Sequence, residues 1–146
     1  MGDMSQISEI LTEKGRRVLK IDADASVLEA VELMVEENVG SLLVTESGDV
    51  TGIVTERDYL RRVALEGRTD AETSVREIMS SPLIVVTPET VIAECMALMT
   101  NKRIRHLPVV DAGEVAGIIS IGDLVKFQSR QQGYEIQFLH DYIAAR

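Results

Sequence analysis

Aromatic side chains are scarce in this 146-residue chain: 3% of its residues, with no Trp, three Tyr and two Phe. A core must then be built from Val, Ile, Leu and Met, and few rings remain to stack on nucleobases. Cysteine is reduced to Cys95, which excludes an intrachain disulfide and a thiolate metal cluster. Set among Met96, Leu98 and Met99 at helical spacing, Cys95 reads as an inert buried thiol. The two histidines have no metal-ligand spacing, so no metal site is expected. Positive charge is in short supply as well: 15 Lys and Arg face 24 Asp and Glu, a net charge of −9. That balance argues against nucleic acid, because Lys and Arg contacts to phosphates supply most sequence-independent affinity. No apolar run approaches the ~20 residues of a membrane span. The N-terminus has no secretory pattern and is too acidic for a transit peptide. The expectation is a cytoplasmic protein with neither a membrane nor a nucleic-acid partner.

What the chain does contain is a duplication. Gly52-Ile53-Val54-Thr55-Glu56-Arg57-Asp58 returns 65 residues later as Gly117-Ile118-Ile119-Ser120-Ile121-Gly122-Asp123. The same offset relates Leu33-Met34 to Leu98-Met99, Val44 to Val109 and Gly48 to Gly113. The hydrophobic content of 45% is enough for a real core. Each copy alone is near the lower size limit for one, so the two are expected to bury apolar sheet faces against each other about a pseudo-twofold axis.

The periodicity predicts a short helix over Ser5 to Lys14, with Ser5 or Ser8 as its cap, ending at Gly15. A strand follows at Val18 to Ile21. Ser26 and Glu29 form a capping-box pattern ahead of Val27, Ala30, Val31, Met34 and Val35 at helical spacing. Strands at Ser41 to Thr45 and Val50 to Thr55 flank the hairpin-type turn Ser47-Gly48-Asp49. A helix from Glu56 to Leu65 stops at Gly67. After a polar joint and a short helical turn near Val75 to Met79, the order returns: strand Leu83 to Val86, helix from about Thr90 to Asn101, strands His106 to Val110 and Val115 to Ser120, helix from Ile121. Tyr134, Phe138 and Tyr142 then recur at spacing four, one face of a helical tail expected to pack on the body or on a second chain. The predicted fold is α/β (α+β), strand-helix-strand-strand-helix twice over. Its segments are an N-terminal helix (1–16), a first repeat (17–67), a linker (68–79), a second repeat (80–127) and a C-terminal helical tail (128–146).

Each copy ends in a strand, a hydroxyl side chain and, three residues on, an aspartate at a helix start. An ionised carboxylate only accepts hydrogen bonds, and a ribose offers adjacent hydroxyl donors, so Asp58 and Asp123 suit a ribose. Thr55 and Ser120, beside unpartnered backbone N–H groups, suit a phosphate. Taken singly, each constellation is equally an ordinary N-cap with a helix-start carboxylate. Its recurrence after Gly-aliphatic-aliphatic favours a ligand.

Lys102-Arg103-Ile104-Arg105-His106 is a basic cluster in an acidic chain. Lys102 and Arg103 suit the negative end of a helix. Arg105 and His106, at the start of a predicted core strand, are better placed for a ligand, with Arg as a planar donor fork and His as a proton-dependent contact. Arg57 either reaches the ligand or pairs with Glu56 or Asp58. The first copy has Val39-Gly40-Ser41 where the second has Ile104-Arg105-His106, so two unequal sites are expected. The one that joins Asp58 to the second copy's basic strand should be the better anion site. Gly122, in place of Arg57, weakens the positive character near Asp123.

Together, the Gly-x-Val-Thr-x-x-Asp motif at Gly52 to Asp58, its echo at Gly117 to Asp123, and Arg105-His106-Leu107-Pro108-Val109 resemble the CBS domain, named for cystathionine β-synthase. Residues 17 to 127 resemble a tandem pair, or Bateman module, and are similar to small stand-alone CBS-pair proteins of bacteria and a plant organellar group. The resemblance implies adenosyl-ligand binding: AMP, ADP or ATP, with NAD or S-adenosylmethionine in some members. Carried over by position, it places Thr55, Arg57 and Asp58 with Pro82, Ile84, Ile104, Arg105 and His106 in one cleft. It places Ser120 and Asp123 with Val39, Gly40 and Ser41 in the other. Gly40 and Gly122 depart from the more polar or basic residues often found there. A homodimer, formed through the helices, is also implied.

The leading function is thus a non-catalytic sensor whose ligand shifts the arrangement of two repeats and so modulates a partner protein, with no cofactor used as a catalyst. A hydrolase or transferase using His106 with Asp58 or Asp123 is disfavoured, because no nucleophile-base-orienter order is present. A ligand-free assembly module is the remaining alternative.

Overall fold

A computed structural model of the chain describes residues 4–15, 17–81, 83–132 and 143. Its elements run α1 (Ile7–Lys14), β1 (Lys20–Asp22), α2 (Val27–Glu37), β2 (Ser41–Glu46), β3 (Asp49–Thr55), α3 (Glu56–Tyr59), α4 (Ile92–Lys102), β4 (His106–Asp111), β5 (Glu114–Ser120) and α5 (Ile121–Gln132). A π-helical turn, Leu60–Ala64, continues α3, and a 3-10 turn spans Val75–Glu77. The chain divides into two compact units, one of residues 18–83 and one of residues 1–17 with 84–146.

In the unit of residues 18–83, β1 pairs parallel to β2, and β2 antiparallel to β3. Helix α2 packs against this sheet and starts where Ser26 Oγ accepts the Glu29 N–H at 3.1 Å. Val27, Ala30 and Met34 form its buried stripe, against Leu42, Val44, Val54 and Val63. The helix ends at Asn38, whose φ of 55° lets its N–H close on the Met34 carbonyl. The β2–β3 turn has positive φ at both Ser47 and Gly48, as a two-residue hairpin of the primed type requires.

In the other unit, β4 and β5 form the equivalent hairpin, turning at Ala112-Gly113. Their buried residues Leu107, Val109 and Ile119 join Ile92, Cys95 and Met99 of α4 and Leu124 and Phe127 of α5. Helix α1 belongs to this same core through Ile7, Ile10 and Leu11. Its cap is neither Ser5 nor Ser8 but Gln6, whose N–H donates to the Glu9 carboxylate at 2.8 Å. Cys95 is fully buried, and that burial pushes its thiol up to about 11, as an inert core thiol requires.

Two predicted elements come out differently. The strand expected at Leu83 to Val86 is a single parallel bridge, Val86 to Val109. In the first repeat the Leu43 N–H donates to the Leu19 carbonyl at 3.0 Å, and the equivalent of Leu43 is Pro108, which has no N–H to extend the ladder. The helix expected from Glu56 to Leu65 changes to π geometry at Leu60, where the Leu65 N–H reaches back to the Leu60 carbonyl at 2.9 Å. The tail stripe of Tyr134, Phe138 and Tyr142 lies outside the described residues.

Candidate functional site

The hairpin register places a hydroxyl at the same corner in both repeats. Ser41, first in β2, lies opposite Thr55, last in β3, and His106 lies opposite Ser120 in the same way. The helix that follows is stitched to the start of the partner strand: the Glu56 N–H donates to the Gly40 carbonyl at 3.0 Å, and the Ile121 N–H to the Arg105 carbonyl at 2.9 Å. The corner therefore gathers Gly40, Ser41, Thr55 and Asp58 in one unit, and Arg105, His106, Ser120 and Asp123 in the other.

In the first corner Thr55 and Asp58 cap each other. Asp58 Oδ2 accepts the Thr55 N–H at 2.9 Å and the Thr55 hydroxyl at 3.1 Å, while Thr55 Oγ1 accepts the Asp58 N–H at 3.2 Å. Burial raises the Asp58 carboxyl above its ordinary value, opposed by the Thr55 hydrogen bonds and by the charges of Arg62 and Arg57. Arg57 is exposed, and among the described residues it forms no ion pair with Glu56 or Asp58. Arg62 donates to the Ile78 carbonyl at 3.2 Å. A Cβ at Gly40 would meet only the carboxylate of exposed Glu56, a flexible side-chain end that can swing aside. Ser41 is buried, and half-buried Val39 packs on the core.

The second corner repeats the cap. Asp123 Oδ2 accepts the Ser120 N–H at 2.8 Å, and Ser120 Oγ accepts the Asp123 N–H at 3.1 Å. In both corners the hydrogen bonds to the aspartate among the described residues fall on Oδ2 and not on Oδ1. The cation that Gly122 fails to supply arrives from elsewhere: Lys14, at the end of α1, donates to Asp123 Oδ2 and to the Ile118 carbonyl, each at 2.7 Å. No local motif marks Lys14, which stands 109 residues from Asp123 and reads in the sequence only as a basic helix end.

His106 is half-buried, and that burial, with the charges of Lys14 and Arg105, lowers its imidazole to about 4 despite the opposing pull of Asp123. It is therefore neutral near pH 7, and any proton-dependent behaviour of this group falls at acid pH. Arg105 is exposed. Ile84 and Ile104 are partly buried against the core that includes Leu107 and Ile119. Pro82 lies outside the described residues. The predicted groupings draw Thr55, Arg57 and Asp58 from one unit and Ile84, Ile104, Arg105 and His106 from the other. Within each unit, the strand-start residue adjoins its own repeat's hydroxyl and aspartate.

The family model of the CBS domain matches residues 7–65 and 75–130, and the chain belongs to the CBS-domain family as a tandem pair. It is 39% identical to the mitochondrial CBS domain-containing protein CBSX3 of Arabidopsis thaliana, over 97% of this chain and 73% of that one. Among solved structures it resembles a proposed signal-transduction protein with CBS domains from Burkholderia ambifaria, at 44% identity and a TM-score of 0.84, covering 88% of this chain and 96% of the other. It also resembles a hexameric CBS-CP12 protein from bloom-forming cyanobacteria, at 34% identity and a TM-score of 0.78, covering 88% and 74%. The chain is thus a regulatory module of the CBS-pair kind, a class that is generally regulatory rather than catalytic. No helix of the described residues is long and apolar enough to cross a membrane.

Proposed function

We propose that this CBS pair senses an adenosyl ligand, AMP, ADP or ATP in preference to NAD or S-adenosylmethionine, and passes the bound state to a partner protein without catalysing a reaction. The observation that carries this reading is the repeated cap. A strand-end hydroxyl and an aspartate satisfy each other through one carboxylate oxygen, and the second oxygen remains for adjacent ligand hydroxyls. Such a group is positioned before the ligand arrives, so little ordering entropy is lost on binding.

The test is a panel of thermal shifts with AMP, ADP, ATP, NAD and S-adenosylmethionine on the wild type, Asp58→Asn and Asp123→Asn. A ligand that binds only the native state stabilises by RT ln(1 + [L]/Kd), about 2.7 kcal/mol at 100 Kd. A shift with adenine nucleotides that shrinks in the aspartate variants supports the reading. No shift with any ligand would leave the assembly alternative. Self-association is part of the proposal: Val35, Leu60 and Leu65 are large apolar side chains at least 61% exposed, and a related CBS-CP12 protein is hexameric. Light scattering on the eluting protein measures it.

A further inference from the structure

The second repeat's corner contains a group that the first lacks. The Lys14 ammonium has three N–H donors, and two are committed, to the Ile118 carbonyl and to Asp123 Oδ2. Those contacts tie Nζ to the end of β5, beside the Ser120–Asp123 cap, while the side chain keeps 42% of its exposure. Arg105 is stapled to the same turn through the Ile121 N–H. His106 lies opposite Ser120 in the hairpin register and so borders the same corner, where the charges of Lys14, Asp123 and Arg105 bear on its imidazole. The corner therefore holds two cations and one carboxylate in a chain of net charge −9.

The first corner is balanced differently. Glu56 stands where the second repeat has Ile121, Gly40 where it has Arg105, and Arg57 and Arg62 offset Glu56 and Asp58. A dianionic group would meet a surplus of positive charge in the second corner only. The Lys14–Asp123 pair also sets a free donor beside a free acceptor, Oδ1, the combination that a phosphate adjoining a hydroxylated sugar would satisfy.

We propose that Lys14 is the residue that reads the ligand's phosphate at the second repeat, so that this corner selects a phosphorylated adenosyl ligand over the uncharged nucleoside. The inference rests on the adenosyl reading above and adds a specificity-determining residue to it. Titration calorimetry of the full chain with AMP and with adenosine, on the wild type, Lys14→Met and Lys14→Arg, tests it. Lys14→Met should weaken AMP about tenfold and change adenosine by less than about twofold, as expected for losing one charge-assisted hydrogen bond. Lys14→Arg should keep most of the preference for AMP, and thermal melts of all three proteins check that α1 remains docked.

Equal weakening of both ligands in Lys14→Met, or no change in either, would overturn the inference and leave the adenosyl reading standing. So would a gain in adenosine affinity, which would make Lys14 a plug on Asp123. A wild type that binds neither AMP nor adenosine would overturn the adenosyl reading as well, and that result is visible before any variant is made.

Discussion

The β-hairpins of the first and second repeats share a backbone and differ in what is laid over them. Left-handed residues recur at Asn38 and Arg103, at Ser47 and Ala112 and at Gly48 and Gly113, and a register shift falls after Val44 and after Val109. Over Gly52 lie the Met79 sulfur and the Ser80 carbonyl, whereas over Gly117 lies the Leu11 side chain from α1. A Cβ at Gly52 would meet the backbone carbonyl of Ser80 at 2.9 Å, whereas one at Gly117 would press on the Leu11 Cδ2 at 2.7 Å, so that side chain would have to shift. The segment that covers each hairpin is thus a different one, and so are the charges it brings. Lys14 rides in on α1, and the segment around Met79 supplies no such cation to Asp58. Hydrogen-bonded geometry at the corner is common to both repeats, and the electrostatics around it are not.

The widest difference between the repeats should appear when the covering side chain is cut back. Leu11 is 1% exposed, so Leu11→Ala should cost about 2–5 kcal/mol in urea unfolding, the transfer loss plus the cavity left above Gly117. Met79 is only partly buried, so Met79→Ala should fall at or below about 2 kcal/mol, the low end of that range. Equal costs would mean that α1 is no more important to its hairpin than the 3-10 segment is to the other.

Acid should separate the repeats next. The His106 imidazole titrates near 4 in the folded chain against 6.5 ordinarily, so the unfolded chain binds the extra proton first. Stability from this group is present above pH 6.5 and is lost as the pH falls from there to about 4, by about 3 kcal/mol in full. The first repeat has Ser41 at this position, and His106→Ser should flatten that part of the curve in urea melts at pH 7, 5.5 and 4.5. Asp58 runs the other way: its raised carboxyl contributes more stability below its ordinary value of 3.8 than above its folded one. Glu46 and Glu77, both lowered by hydrogen bonds, lose theirs as the pH falls below 4.5, so only the difference between the wild type and His106→Ser reports on His106.

Much of this architecture was legible in the chain because it depends on local patterns. The 65-residue echo located both hairpins, both turn glycines and both hydroxyl-aspartate caps, since strand alternation, turn glycines and capping spacing are short-range signals. The missing strand at Leu83 to Val86 was less readable, because the limiting residue, Pro108, sits on the partner strand and not in the segment itself. The shift to π geometry at Leu60 has no apolar spacing of its own. Lys14 was missed for a stronger reason: its role is created by tertiary contact across 109 residues, and a lysine before Gly15 reads locally as a helix end. His106 was found as a candidate proton-dependent contact, but the acid shift of its imidazole was not legible, because its burial and its two cationic neighbours belong to the fold and not to the motif.

Ligand affinity should divide the strand starts more modestly. Arg105 is an exposed cation and Ser41 a buried hydroxyl, so Arg105→Ala should weaken AMP about tenfold while Ser41→Ala stays within about twofold. Calorimetry with matched melts measures both. Equal losses would mean that charge at the strand start does not distinguish the repeats.

The smallest effect lies at the helix ends, where the repeats share a conformation but not a residue suited to it. Asn38 and Arg103 both end a helix with φ near 55°, and both return their N–H to carbonyls in the last turn. Asparagine tolerates the left-handed region and arginine is strained there. Arg103→Asn should therefore raise stability by about 0.5–1 kcal/mol, and Asn38→Arg should lower it by a similar amount. Because Arg103→Asn also removes a positive charge from the Lys102–His106 cluster, Arg103→Gly serves as the control: it removes the same charge and relieves the same strain. A neutral result in both Arg103 variants would show that the arginine side chain makes up for its backbone through contacts at the end of α4, and the two helix ends would then differ in energy as well as in sequence.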